Sequence, residues 1–148
     1  MAQTFKGRPL LPGALEGEAL VSKQAFNTSA SYLENMFAGR TDSAPCTDVS
    51  NKELHKKDLA GAIICTTQTV GSTFGAATIM GMNEIGVGLK AMLFAWHVDS
   101  IAAAGLIVDD IWNERRVITI DLLGDEFLEA VNSGDPIKIS EDGTVEVG

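Results

Sequence analysis

The hydroxyl-rich run Thr66-Thr67-Gln68-Thr69-Val70-Gly71-Ser72-Thr73 lies between the apolar segment Ala62 to Cys65 and a second apolar segment from Phe74 to Met82. Such an order reads as a buried strand, a polar turn containing glycine, and a helix. Hydroxyls at this kind of turn meet the unpaired amides of the first helical turn, so Ser72 or Thr73 is the expected N-cap. The positive end of the helix dipole stabilises an anion there, or an oxygen becoming anionic. Ser72 is therefore a candidate for binding a carboxylate or for acting as an alkoxide; the plain alternative is a cap with no further role. No lysine follows the turn as in a Walker A loop, and G-x-G-x-x-G does not occur.

Other polar residues carry weaker signals. His97, after Trp96 at a strand end, could act as an acid, a base or a phosphate carrier, although an imidazole beside an indole also reads as structural. Arg8, in Gly7-Arg8-Pro9, could clamp a substrate carboxylate. His55 lies in Glu53-Leu54-His55-Lys56-Lys57-Asp58, a solvated face. Asp109-Asp110 and Glu114-Arg115-Arg116 read as a charged helix end and loop rather than as paired catalytic carboxylates. Cys46 and Cys65 have no C-x-x-C or Cys/His cluster around them, which excludes zinc ribbons and thioredoxin-type motifs, and no metal site is expected. Cys65 ends an apolar run and reads as a buried thiol; Cys46 follows a proline in a polar loop and is expected to be the freer of the two.

The elements that must position these residues are legible in outline. With 148 residues, 45% hydrophobic and 21% charged, the chain reads as one domain, residues 1–148, with a core of its own. Eleven basic against 20 acidic residues leave a net charge of −9, which opposes nucleic-acid binding. No apolar run reaches the roughly 18 residues of a membrane span, and the first six residues lack a signal-peptide core, so a cytoplasmic protein with no membrane partner is expected. Residues up to Ser22 read as two short strands around Pro12-Gly13. After the central helix, strands are expected at Lys90 to Ala95 and at Val117 to Ile120. Helices are expected from Asp99 or Ser100 to Val108 and from Glu126 to Val131, and a terminal hairpin turns at Asp142-Gly143.

Between Ser22 and Asp58 no period holds beyond a short helix at Tyr32 to Phe37. A connection of that length in a compact domain is expected to be functional or mobile, with Asn27, Thr28 and Ser29 its foremost contacts. The order β-β, long loop, β-α-β-α-β-α, β-β implies an α/β domain with a mixed sheet and a second sheet or barrel-like layer built from the end strands. The site is incomplete by any usual template, having no triad, no metal cluster and no cofactor fingerprint.

These residues resemble a known family. Gly7-Arg8-Pro9-Leu10-Leu11-Pro12-Gly13 with Glu16-Gly17-Glu18-Ala19-Leu20-Val21 is similar to the opening of the aconitase X swivel domain, the small subunit of aconitase X-type dehydratases. Gln68-Thr69-Val70-Gly71-Ser72-Thr73-Phe74-Gly75 resembles that family's Gly-Ser-(Ser/Thr)-x-Gly turn, and Asp125 to Val145 resembles its closing helix and hairpin. The likeness weakens from about Ser22 to Asp58, where a Trp-Gly-Gly-type segment is replaced by the Asn27 to Ser31 loop. The resemblance implies a swivelling β/β/α three-layer domain that closes over an iron-sulfur cluster held by a separate large catalytic subunit. The implied reaction is loss of water from a small hydroxy acid. A cis-3-hydroxy-L-proline type is favoured over mevalonate 5-phosphate because the acidic balance disfavours a dianion. Ser72 would be the base that takes the carbon-bound proton, with Gly71, Thr73, Arg8, Asn27, Thr28 and Ser29 around the substrate, while the cluster receives the hydroxyl. A non-catalytic phosphocarrier or binding module of the same layout, using His97, is the runner-up.

Overall fold

The computed structural model describes residues 2–148. Ten strands and five helices follow in chain order: β1 (Gln3–Lys6), β2 (Arg8–Leu11), β3 (Leu15–Val21), β4 (Phe26–Asn27), α1 (Thr28–Ser31), α2 (Leu33–Ala38), β5 (Ile63–Thr66), β6 (Thr69–Val70), α3 (Gly75–Glu84), β7 (Ala91–Phe94), α4 (Ser100–Asn113), β8 (Ile118–Asp121), α5 (Asp125–Ala130), β9 (Pro136–Ile139) and β10 (Thr144–Val147). Eight strands form one sheet in the order β1-β10-β9-β3-β5-β7-β8-β2, and β4 and β6 make a small parallel pair apart from it.

β3 is the strand on which two layers meet. Its first half, Leu15 to Glu18, pairs antiparallel with β9, and its second half, Ala19 to Val21, pairs parallel with β5. The parallel series β3-β5-β7-β8 is thus continuous with the antiparallel end strands, and what the sequence presents as two layers is one curled sheet. The sheet's two edge strands, β1 and β2, are separated by Gly7 alone, so the chain itself draws the edges together. Only glycine fits there, because a Cβ would lie 2.5 Å from the Asp121 carbonyl oxygen and 2.6 Å from Ile120 Cγ2. This bend also explains why the opening residues make three strands rather than two.

Strand alternation divides the interior into two cores. Ile63, Cys65, Ala91 and Leu93 face the hollow of the curled sheet, which is filled by Phe127, Leu128 and Val131 at α5 and by Ile137, Ile139 and Val145 from the end strands. Ile64, Met92 and Phe94 face the other way, onto Ile79 and Met82 of α3 and Ala102 and Leu106 of α4. The result is the expected β/β/α arrangement.

Residues 22–58 are a correction. In place of one long loop they carry β4, α1 and α2, and Phe26, Tyr32, Ala44, Cys46 and Leu54 are buried in the helix-side core. The Tyr32 hydroxyl donates to the Val87 carbonyl at 3.1 Å, Asn51 Nδ2 donates to Ser22 Oγ at 2.8 Å, and the Cys46 N–H donates to the Lys57 carbonyl at 2.8 Å. The apolar residues that anchor the segment are single and irregularly spaced, so no period announces them. Cys46 is correspondingly 1% exposed and not the freer thiol. Helix α4 also runs past Val108 to Asn113, because buried Asp109 accepts from Asn83 and Asn113 at 2.8 Å each and pairs with Arg115.

Candidate active site

Ser72 sits at the edge of the sheet where the parallel strands end, the place at which α/β folds gather ligands. β6 reaches it by pairing with β4, Phe26 opposite Thr69 and Asn27 opposite Val70. Gly71 then turns at φ +107°, a conformation that favours glycine, and a Cβ at that position would lie 2.7 Å from Asn27 Oδ1 and displace that side chain. Ser72, Thr73 and Phe74 are exposed. Neither hydroxyl is the N-cap. The cap position of α3 is Phe74, with no side-chain bond, and the Gly75 and Ala76 amides donate to the Ser72 and Thr73 carbonyls. Ser72 Oγ instead accepts from the Phe74 N–H at 3.1 Å. The serine oxygen therefore has a fixed amide donor, stands before a ten-residue helix, and faces solvent.

A hydrogen-bonded rim continues from this turn across the strand ends. Asp99 accepts from the Thr69 N–H at 2.8 Å and the Thr69 hydroxyl at 2.6 Å while capping α4 through Ala102. The next loop residue, Val98, donates its N–H to Asp121 at 2.7 Å. The Asp121 side chain is fully buried and also accepts Arg8 Nε at 2.9 Å and Nη2 at 2.7 Å, a bidentate pair that holds the guanidinium above its ordinary pKa. His97 Nδ1 lies 2.7 Å from the Val98 carbonyl. A carbonyl only accepts, so Nδ1 is the donor in this contact, and Nε2 lies 3.4 Å from Arg8 Nη2.

The rim gathers Asn27, Gly71, Ser72 and Thr73 at one end and Arg8 with His97 at the other. Thr28 and Ser29 depart from the expectation that they meet substrate. Thr28 is buried against Gly75, and the Ser29 hydroxyl is engaged with Thr78 at 3.2 Å, so both pack α1 on α3. Asp121 was not singled out by sequence reasoning, and Asp99 only as a possible helix start. The signal available was an acidic residue closing each of two short segments, Ile118-Thr119-Ile120-Asp121 at the end of a strand and Trp96-His97-Val98-Asp99 at the start of a helix. Val70, Phe74, Trp96 and Leu122, each between 45 and 58% exposed, surround the rim with apolar surface.

The two thiols do not suit a cluster. Cys46 lies in the helix-side core and Cys65 in the sheet hollow, where burial pushes its pKa up, and among the described residues no three His, Cys, Asp or Glu converge. No helix among the described residues is long and apolar enough to cross a membrane.

Residues 4–147 match the family described as the aconitase X swivel domain. The chain belongs to this family. The domain is 30% identical over 144 residues to the phosphomevalonate dehydratase small subunit of Aeropyrum pernix, covering 97% of this chain and 92% of that one. It is 27% identical over 110 residues to the protein of the same name from Thermococcus kodakarensis, covering 72% and 74%. The crystal structure of Thermococcus kodakaraensis aconitase X in its holo-form superposes with a TM-score of 0.80 at 22% identity, over 99% of this swivel domain and 98% of that chain. The resemblance drawn from the Gly71-Ser72-Thr73 turn and the two ends of the chain thus holds along its length, residues 22–58 included.

Proposed function

We propose that this chain is the small subunit of an aconitase X-type hydro-lyase that removes water from mevalonate 5-phosphate. The observation that carries the reading is the near end-to-end likeness to a phosphomevalonate dehydratase small subunit, 92% of whose length is covered. It reverses the order expected from net charge, which favoured a hydroxyproline. Charge is a weak guide here because a second subunit supplies part of the field around the substrate. On this reading an iron-sulfur cluster would be held by the large subunit and would supply Lewis acidity toward the hydroxyl.

The contribution of this chain is the proton. Ser72 Oγ takes it from the carbon next to the substrate carboxylate, the electron pair of that C–H bond becomes the new C=C bond, and hydroxide leaves from the adjacent carbon. A serine is a poor base in water. Its alkoxide is supported by the Phe74 N–H at 3.1 Å and by the start of α3, both fixed before substrate arrives. Gly71 and Asn27 hold the turn, and Thr73 stands beside the hydroxyl.

The test is reconstitution with the large subunit of the same source, assayed on mevalonate 5-phosphate and on cis-3-hydroxy-L-proline. Turnover of the phosphate ester should exceed that of the imino acid. Ser72→Ala and Ser72→Gly should each lose more than about a thousandfold in kcat with assembly intact, since Ser72 does not cap the helix. Activity within about tenfold of wild type, roughly 1.4 kcal/mol of barrier, would remove Ser72 from the chemistry.

A further inference from the structure

Helix α4 is apolar on both of its faces. Ala102, Gly105 and Leu106 turn inward, and buried Asp109 completes that face. The opposite face carries Ala104, Ile107, Val108 and Ile111, spaced three and four residues apart, with Trp112 at its flank. Val108 is 39%, Ile111 62% and Trp112 75% exposed. A helix that is apolar all round is ordinarily enclosed by protein on all sides. The charge pattern agrees: 21% of the chain is charged, yet no charged residue occurs from Thr69 to Asn83 or from Ser100 to Val108. Where α3 and α4 end, Glu84 pairs with Arg115 and Asp110 with Arg116 at 2.7 Å.

We infer that the outer face of α4 is the docking surface for the large subunit, an assignment that rests on the function proposed above. Three observations choose this occupant. The face adjoins the site, because α3, which begins at the 58%-exposed Phe74, packs along α4 so closely that a Cβ on Gly75 would lie 3.4 Å from Ile101 Cγ2 in the first turn of α4. A stable interface takes about 800 Å² from each partner, more than one helix stripe supplies, so what covers α4 also extends along Phe74 to the Ser72 turn. Two copies of this chain, each at −9, would repel one another across so uncharged a contact. The partner that completes the site is also the one that covers the helix, and its matching face is apolar rather than basic.

The experiment titrates the purified large subunit against wild type, Val108→Glu/Ile111→Glu and Ser72→Ala, by calorimetry and by dehydration of mevalonate 5-phosphate. The double variant replaces exposed side chains, so its own melting temperature should stay within a few degrees of wild type. It should bind at least a hundredfold more weakly and recover turnover at high subunit concentration, whereas Ser72→Ala should bind normally and stay inactive. In a Trp96→Phe background Trp112 is the remaining tryptophan, and its emission should shift to the blue on binding. Affinity of the double variant within threefold of wild type, with no Trp112 shift, would overturn the inference while leaving the proposed function standing. Wild type that neither bound the large subunit nor supported dehydration would overturn both. A wild-type homodimer abolished by the double variant, with large-subunit affinity unchanged, would assign the face to self-association and overturn the inference.

Discussion

Gly105 in α4 offers a test in which two physical effects predict opposite signs. On helix propensity alone, Gly105→Ala in a helix interior should stabilise the domain by about 1 kcal/mol. Packing says otherwise. An added Cβ would lie 2.7 Å from the Ala76 carbonyl oxygen, 2.9 Å from Ala76 Cα and 3.2 Å from its carbonyl carbon, all backbone atoms that cannot rotate away. Restoring an ordinary 3.4 Å contact means moving α3 and α4 apart by about 0.7 Å, which forfeits a quarter to a half of the dispersion along the seam. Overpacking of this kind costs about 1–3 kcal/mol, and a backbone clash belongs in the upper half of that range. The net expectation is a loss of about 1–2 kcal/mol, or a fall of about 2–8 °C in Tm for a domain of this size. Gly81 in α3 is the matched control, since a Cβ there meets nothing within 4 Å. Gly81→Ala should raise Tm by about 2–4 °C through propensity alone. Urea and thermal melts of the two variants beside wild type decide the matter. A Gly105→Ala protein as stable as wild type, or more so, would refute the close helix seam that fixes α3 and hence the Ser72 turn.

Two further predictions concern titration and thiol access. Asp142 is held at about 2, below its ordinary value, by hydrogen bonds from Thr144 and from Lys6. A carboxylate depressed on folding contributes stability that is present above its unfolded pKa of about 4 and is lost as pH falls toward 2. Asp142→Asn should therefore lower stability near neutrality, flatten the acid limb between about pH 4 and pH 2, and converge on wild type toward pH 2; an identical acid limb in the variant would count against the contact. Cys46 and Cys65, both buried, should react with an aromatic disulfide reagent at least about a hundredfold more slowly in the native protein than in urea. Rapid native labelling of Cys46 would contradict the packed arrangement of residues 22–58.

Local chemistry made the Ser72 turn legible. A strand, a glycine and adjacent hydroxyls before an apolar helix locate it from nearest neighbours alone, as does the Asp142-Gly143 turn of the last hairpin. What the turn does in detail was not legible. Whether Ser72 caps α3 or accepts from Phe74 depends on where the first helical residue falls, and hydroxyls at successive positions satisfy either reading. The long segment was misread for a different reason. Phe26, Tyr32, Cys46 and Leu54 reach the core one at a time, so they carry no period, and the polar residues between them advertise a loop. The sheet's closure through Gly7 is likewise a long-range fact. Gly7-Arg8-Pro9 marks a bend, but that its two arms pair with β10 and β8, at opposite edges of one sheet, is visible only when the strands are assembled.

That closure bears on how the reaction is divided between subunits. Arg8, the cation on the site rim that sequence reasoning offered as a substrate clamp, is delivered there by the bend at Gly7. It arrives already bound bidentately to Asp121, so the pair presents almost no net charge to an incoming anion. Substrate with both a carboxylate and a phosphate needs several cationic donors, and a rim whose other ionisable members are Asp99 and a single histidine does not supply several. On the proposed function, recognition of the anionic groups therefore falls to the large subunit. The swivel domain brings a hydroxyl with a preset amide donor, and keeping strong charge away from that oxygen has a chemical reason. A free cation beside Ser72 Oγ would lower the basicity on which the proposed proton abstraction depends, whereas a single N–H and a helix start would stabilise the alkoxide more mildly and at fixed geometry.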